Sequence, residues 1–254
     1  MVHTNDTHSC IVPLSPNIPD AEQADKGGYL RRAALLRDLR RDDPDLLLFD
    51  SGDFSQGSPY YSLYKGEVEI GLMNLMHYDA VTIGNHEFDF GVDNMARIFG
   101  MAQFPIVCCN YDFTGTACEG LVKPYAIIER SGLKIGVLGV SPQLEGLVSA
   151  STCAGVAYRN PIDAAQPVAD YLRNVAHCDL IVCLSHLGWG IPGITDEDFI
   201  AGTRNIDIVL GGHSHTYFER PRIAYNLDGM PVPDNQMGKN ARFVGLLNLT
   251  LSPR

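Results

Sequence analysis

The sequence has no Cys-x-x-Cys pair, no apolar run near the roughly 20 residues that cross a bilayer, and no surplus of positive charge. The first absence removes zinc ribbons and thioredoxin-type motifs, although seven cysteines are present: Cys10, Cys108, Cys109, Cys118, Cys153, Cys178 and Cys183. The second excludes a membrane-spanning helix. The third, 19 Lys and Arg against 30 Asp and Glu, gives a net charge of −11 and argues against nucleic-acid polymers as partners. A small anionic substrate stays compatible, because bound metal makes a local site positive on an acidic protein. Internal repeats and low-complexity linkers are also missing, so a single domain over residues 1–254 is expected. Only Met1 and Val2 precede the first polar cluster, and no leader segment is read there. Cys178 and Cys183 lie in or beside an apolar run and read as buried small hydrophobes, while a Cys118–Cys153 bridge is left open.

What is present reads as an ordinary globular chain, 45% hydrophobic and 19% charged. Apolar β-rich runs recur at Leu46–Phe49, Ala80–Ile83, Ile106–Cys109, Ile135–Val140, Leu180–Leu184 and Ile206–Leu210. Between them, Tyr29–Arg41 carries Leu30, Ala33, Leu36 and Leu39 at helical spacing with arginines on the other face. Val68–His77 and Ala164–Ala176 read similarly, the latter opened by Asn160-Pro161 and Asp163. This alternation predicts an α/β architecture with largely parallel central strands. Pro221–Lys239 is polar and turn-rich, and Phe243–Leu251 alternates like an edge or hairpin strand returning to the sheet.

Most strand candidates end in a polar cluster. Val2 leads into Asn5-Asp6-Thr7-His8, Leu46–Asp50 into Gly52-Asp53, and Ala80–Ile83 into Gly84-Asn85-His86-Glu87. Leu180–Leu184 leads into Ser185-His186, and Ile206–Leu210 into Gly211-Gly212-His213-Ser214-His215. Ligands bind beyond the carboxyl ends of strands in α/β sheets, so the clusters are expected to converge on one crevice. Asp6 and His8, like His213 and His215, are one residue apart; in extended backbone each pair points to one side. Such imidazole and carboxylate donors suit two divalent ions of the zinc, manganese, cobalt or iron class. Asp53 has two oxygens with which to bridge both ions, and Asn85 offers a neutral carbonyl. Two divalent ions with two carboxylates and neutral remaining ligands would leave about +2, enough to attract a phosphoryl dianion. His86, beside Asn85, reads either as an acid at the leaving group, oriented by Asp89, or as a structural histidine.

Asn-Asp-Thr-His, Gly-Asp, Gly-Asn-His-Glu-Phe-Asp, Ser-His-Leu-Gly and Gly-Gly-His-Ser-His resemble, in order, the motifs of the calcineurin-like metallophosphoesterases. More narrowly, residues 2–251 resemble the catalytic domain of the 5′-nucleotidases. The resemblance implies a four-layer α/β/β/α sandwich. It implies one metal on Asp6, His8, Asp53 and His215, the other on Asp53, Asn85, His186 and His213, and a catalytic dyad of His86 and Asp89. It also implies in-line attack by water or hydroxide without a covalent phospho-enzyme, a phosphorylated small-molecule substrate such as a nucleotide, and a periplasmic or exported protein, with the cytoplasm as alternative. The family carries a C-terminal nucleotide-binding domain that this chain, ending at Arg254, is expected to lack. A separate polypeptide that completes the site, or a different substrate, follows as an expectation. So do a cyclic-nucleotide phosphodiesterase and a nucleotide-sugar hydrolase as alternatives. Cys10 departs from the more usual basic or polar residue after the first motif.

Other residues carry both plain and functional readings. His3, His77 and His177 read as ordinary histidines, and Trp189 as a packing residue. Tyr60, Tyr61 and Tyr64 read as a partly buried helix face rather than a substrate rim. Asn110 either contacts substrate or caps a turn.

Overall fold

Parallel strands that are apolar on both faces must be covered on both faces, and that requirement sets the architecture. The computed structural model describes residues 1–251. One six-stranded sheet is ordered β14-β1-β2-β3-β4-β6. It comprises β1 (Val2–Thr4), β2 (Leu48–Asp50), β3 (Ala80–Val81), β4 (Ile106–Val107), β6 (Val122–Lys123) and the edge strand β14 (Gly245–Leu246). The second is ordered β12-β13-β11-β10-β8-β7. Its strands are β7 (Tyr125–Arg130), β8 (Leu133–Val140), β10 (Leu180–Ser185), β11 (Ile208–Leu210), β12 (Arg222–Tyr225) and β13 (Pro231–Asn235). β5 (Tyr111–Asp112) and β9 (Ala157–Tyr158) form a small separate pair. All pairings among β1, β2, β3, β4 and β6, and among β8, β10, β11 and β13, are parallel. Within these two sheets the outer strands β14, β7 and β12 run against their neighbours, as β5 and β9 do in the small pair.

Period-two alternation separates the layers. On β10, Leu180, Val182 and Leu184 join Leu47 and Phe49 in a core shared by the two sheets. Ile181 and Cys183 point the other way, into a core with Ala165, Ala169 and Leu172 of α5 (Pro161–Asn174) and Phe199 of α6 (Asp196–Gly202). On the far side, Leu48 and Val81 meet Leu36 of α1 (Tyr29–Asp42), Ile70 and Met73 of α3 (Glu67–Met76), and Met95 of α4 (Gly91–Phe99). Four layers follow, α/β/β/α, as the resemblance implies. The sheets approach closely at Gly139, where a Cβ would lie 2.1 Å from the Val107 carbonyl oxygen.

The helix start read at Asn160 is present: its side chain caps α5, accepting from the Ile162 and Asp163 N–H groups. The face assigned to α1 needs correction: Leu30 is 79% exposed, whereas Arg32 is 7% exposed. The turn-rich stretch from Pro221 holds the β12–β13 hairpin, and a second hairpin, β7–β8, turns on Ser131 and Gly132 with φ of 52° and 75°. Both left-handed positions are what a two-residue hairpin of this twist requires. α2 (Pro59–Tyr64), capped by Ser58, buries Tyr61 and leaves Tyr60 and Tyr64 outward, the helix-face reading of those tyrosines.

Candidate metal centre

The parallel strands place the loops after β1, β2, β3, β10 and β11 along one edge of the two sheets. Within those loops the backbone is not extended. Asp6, His8, Asp53, His213 and His215 all adopt left-handed φ, at 47°, 43°, 53°, 69° and 56°. The expectation that each His or Asp pair points to one side of an extended strand is therefore corrected: the side chains converge through left-handed turns. Asp and His tolerate this region better than branched residues, yet each instance costs about 1–3 kcal/mol. Backbone bonds hold the turns in place, from Asp6 N–H to the Gly52 carbonyl at 2.9 Å and from His8 N–H to the Asp53 carbonyl at 3.0 Å. Gly212 permits close approach, since a Cβ there would lie 2.9 Å from His186 Nδ1 and 3.2 Å from Asp6 Oδ2.

The donors form adjoining groups. Asp6, His8 and His215 make one, Asp53, His186 and His213 another, and His8, Asp53 and His86 a third between them. His8 Nε2 and His215 Nε2 are 3.0 Å apart, and Asp6 Oδ1 is 3.8 Å from the first and 3.4 Å from the second. His186 Nε2 lies 3.1 Å from Asp53 Oδ2 and 3.9 Å from Asp6 Oδ1. Four ligands at about 2.1 Å in a tetrahedron stand roughly 3.4 Å apart, so this spacing suits donors sharing a cation. An unpartnered atom gives the same answer: Asn85 Oδ1 is buried without a hydrogen-bond partner, a state that coordination would relieve. The Ser51 carbonyl, 2.7 Å from His186 Nδ1, fixes the ring so that Nε2 faces the cluster.

Electrostatics divide the imidazoles. Burial lowers His8, and burial followed by the neighbouring His186 lowers His213 to about 4. Both are neutral at pH 7, the form that ligates metal. Burial would lower His186 too, but the Asp53 carboxylate outweighs it and raises His186 to about 10. The same pairing, acting against burial, holds Asp53 below the usual carboxylate range. His86 is raised chiefly by its hydrogen bond to Asp89, with Nδ1 3.2 and 3.1 Å from the two Asp89 oxygens. Its own N–H donates to Asp53 Oδ1 at 2.9 Å, and the Tyr61 hydroxyl donates to its carbonyl at 3.1 Å.

Two supporting residues lie within the motifs, yet their roles are not readable from the motifs alone. Glu87, 1% exposed, accepts N–H bonds from Asp53 at 3.0 Å, Gly84 at 2.6 Å and Ser55 at 3.1 Å, so one carboxylate staples two ligand loops. Asn5 donates to Asp6 Oδ2 at 2.6 Å and to the Gly238 carbonyl at 2.9 Å, and accepts from Met237 N–H at 2.8 Å. A polar residue within two positions of a ligand on a tight loop is the signal that points to such roles. Asn110 is different. It is fully buried, donating to the Ser141 carbonyl at 2.7 Å and accepting the Ser141 N–H at 2.8 Å, a brace between strand ends. Trp189 packs edge-on against Phe218 at 5.4 Å, and all seven cysteines are free thiols.

A family model described as calcineurin-like phosphoesterase matches residues 1–217. Human 5′-nucleotidase is 29% identical, covering 100% of this chain and 46% of that protein. The snake venom 5′-nucleotidase of Naja atra is 28% identical over 100% of the chain and 50% of its own length. Among solved structures, the 5′-nucleotidase precursor of Thermus thermophilus superposes with a TM-score of 0.83 at 29% identity, over 96% of this chain and 49% of that one. The NAD nucleotidase of Haemophilus influenzae gives 0.83 at 25% identity, over 96% and 51%. The chain spans about half the length of the curated relatives it matches.

Proposed function

This chain belongs to the calcineurin-like phosphoesterase family, and we propose that it is a dinuclear-metal-dependent phosphomonoesterase of the 5′-nucleotidase type, releasing phosphate from nucleotides. The observation that carries the proposal is Asp53, whose carboxylate belongs to two of the three adjoining donor groups. On this reading Asp6, His8, Asp53 and His215 hold one divalent ion, and Asp53, Asn85, His186 and His213 the other. Bound there, ions of the zinc, manganese, cobalt or iron class supply Lewis-acid charge to a phosphoryl group and acidify water toward a pKa of roughly 7.

The chain's own groups do the rest. Asp89 holds His86 through Nδ1 and favours its protonated form, leaving the other ring nitrogen to give a proton to the departing oxygen. Tyr61, through the His86 carbonyl, and Asp53, through the His86 N–H, fix the backbone from which that ring projects. Glu87 keeps the Asp53 and Asn85 loops in one register, so the donors need no rearrangement to receive the substrate.

The relatives' length supports a second element of the proposal, that affinity for a nucleotide base depends on a substrate-binding domain outside these 254 residues. We place the protein among exported enzymes on family resemblance; no helix among the described residues is long and apolar enough to cross a membrane. A panel of nucleoside monophosphates, an aryl phosphate, a cyclic nucleotide and a nucleotide sugar tests the reading, each with metal, after chelation and after metal return. Turnover of monoesters that chelation abolishes and manganese, zinc or cobalt restores is expected. Efficient aryl phosphate cleavage with weak nucleotide affinity points to the outside domain, preference for the cyclic nucleotide or nucleotide sugar replaces the monoester assignment, and chelation-resistant turnover ends the proposal.

A further inference from the structure

On a protein of net charge −11, one surface cleft gathers cations. It occupies about 380 Å³ between the start of α1 and the loop before β14, and Lys26, Arg31, Arg32 and Arg242 line it against a single carboxylate, Asp25. Asp25 is already engaged, its two oxygens 3.1 and 3.2 Å from Arg31 Nη2. Gly27 and Gly28, at the start of α1, form part of the wall. That helix has 14 residues, no acidic residue in its first turn and no side-chain cap, so its positive end adds to the field at the cleft.

Arg32 is the feature that a solvated basic face does not explain. Its side chain is 7% exposed, and its Nε and Nη1 are both buried with no hydrogen-bond partner among the described residues. A desolvated guanidinium with two unpartnered nitrogens is costly and calls for an anion. Asp50 feels the Arg32 charge, but it takes its hydrogen bonds from the Thr4 hydroxyl at 2.6 Å and the Gly52 N–H at 3.0 Å and leaves the Arg32 Nε and Nη1 without one. Glu69, whose Oε2 is also unpartnered, lines with Arg32 a separate void of about 10 Å³, room for one water at most.

We propose that this cleft binds a dianionic oxyanion of the phosphate or sulfate class, with the Arg32 guanidinium as its buried anchor and Arg31, Arg242 and Lys26 as its rim. The planar fork of Arg matches such an anion with paired N–H bonds, and the long rim side chains close over it from solvent. The anion is either free in solution or the head group of a larger molecule. The site is separate from the metal centre and does not depend on the phosphoesterase reading. The two regions are nonetheless neighbours, since Asn240 N–H donates to the Asp6 carbonyl at 2.8 Å, two residues before Arg242.

The test is calorimetric titration of the metal-loaded full chain with inorganic sulfate and inorganic phosphate at fixed ionic strength, and with phenylphosphonate as an organic, non-hydrolysable arm. Wild type is compared with Arg32→Leu and with the rim variants Arg31→Gln and Arg242→Gln. Binding at the metal centre survives all three substitutions, so only differences between proteins are read. Arg32→Leu is expected to weaken one class of sites at least tenfold and each rim variant severalfold, while turnover at the metal centre stays within twofold. Tighter binding of phenylphosphonate than of phosphate identifies a head group as ligand, and the reverse a free ion; either supports the site. Identical isotherms for wild type and Arg32→Leu overturn it and assign Arg32 to a water in the small void. Should Arg32→Leu fail to fold, unchanged affinity in both rim variants overturns it equally.

Discussion

Replacing Gly84 with alanine adds one methyl group and isolates the contribution of Asp53. A Cβ on Gly84 would lie 2.1 Å from Asp53 Oδ1 and 2.6 Å from the Asp53 nitrogen. Real Cβ contacts essentially never fall under 3.0 Å and ordinary ones begin near 3.4 Å, so the carboxylate has to withdraw by at least about 0.9 Å. Gly84 is absent from the left-handed residues, so alanine brings no backbone strain of its own and the effect is steric. Asp53 has little freedom to yield, being tied to the His86 N–H at 2.9 Å and to Glu87 through its own N–H at 3.0 Å. A displacement near 1 Å at a reacting centre costs about 10²-fold in rate, and disturbed support of a ligand costs roughly 10–100-fold in metal affinity. The assay pairs metal content by mass spectrometry with kcat/KM on an aryl phosphate at saturating manganese. Gly84→Ala with full metal loading and wild-type kcat/KM would refute the reasoning, because the shared carboxylate would then be dispensable.

Other expected outcomes follow from the same geometry. His86→Ala should keep its metal and lose about 10²–10⁴ in kcat, measured beside metal content; unchanged turnover removes its role as acid. Glu87→Gln keeps the shape but turns a donor toward one of three backbone N–H groups, and should lower stability by about 1–3 kcal/mol in urea titration; an unaltered midpoint would mean the staple is idle. His3, fully buried, accepts from Asn235 Nδ2 at 3.1 Å, and burial followed by the N-terminal amino group pushes it down from 6.5 to about 3. The unfolded chain therefore takes up a proton that the folded chain refuses, and stability is lost as pH falls from 6.5 toward 3, by up to about 1.4 kcal/mol per pH unit from this group. Urea midpoints at pH 7 and pH 5 for wild type and His3→Asn check it, and equal pH slopes for the two proteins contradict it.

The layers and the crevice were legible because they rest on short-range signals. Continuous apolar runs ending in Gly-Asp, Gly-Asn-His and Gly-Gly-His mark buried parallel strands with crowded turns at their carboxyl ends, and those turns do bring Asp6, Asp53, His186 and His215 together. The conformation of the turns was not legible. Spacing of Asp6 and His8 is compatible with either an extended or a left-handed chain, and only hydrogen bonds to Gly52 and Asp53, over forty positions away, choose the latter. Arg32 escaped for a related reason: helical periodicity identifies an apolar stripe, but whether a flanking guanidinium is solvated depends on segments distant in sequence, such as the Ala241 loop that lines the same cleft. Asn110 sits at a strand end as a substrate contact would, and its partner Ser141 lies on a different strand end of the other sheet, invisible to local pattern.

The most direct measurement is anomalous diffraction from crystals grown with manganese, with the metal content of the same protein determined in solution. Two peaks flanking the Asp53 carboxylate, one beside Asp6, His8 and His215 and the other beside Asn85, His186 and His213, are expected, together with two ions per chain. An enzyme that cleaves phosphomonoesters while those positions stay empty of metal would contradict the central claim.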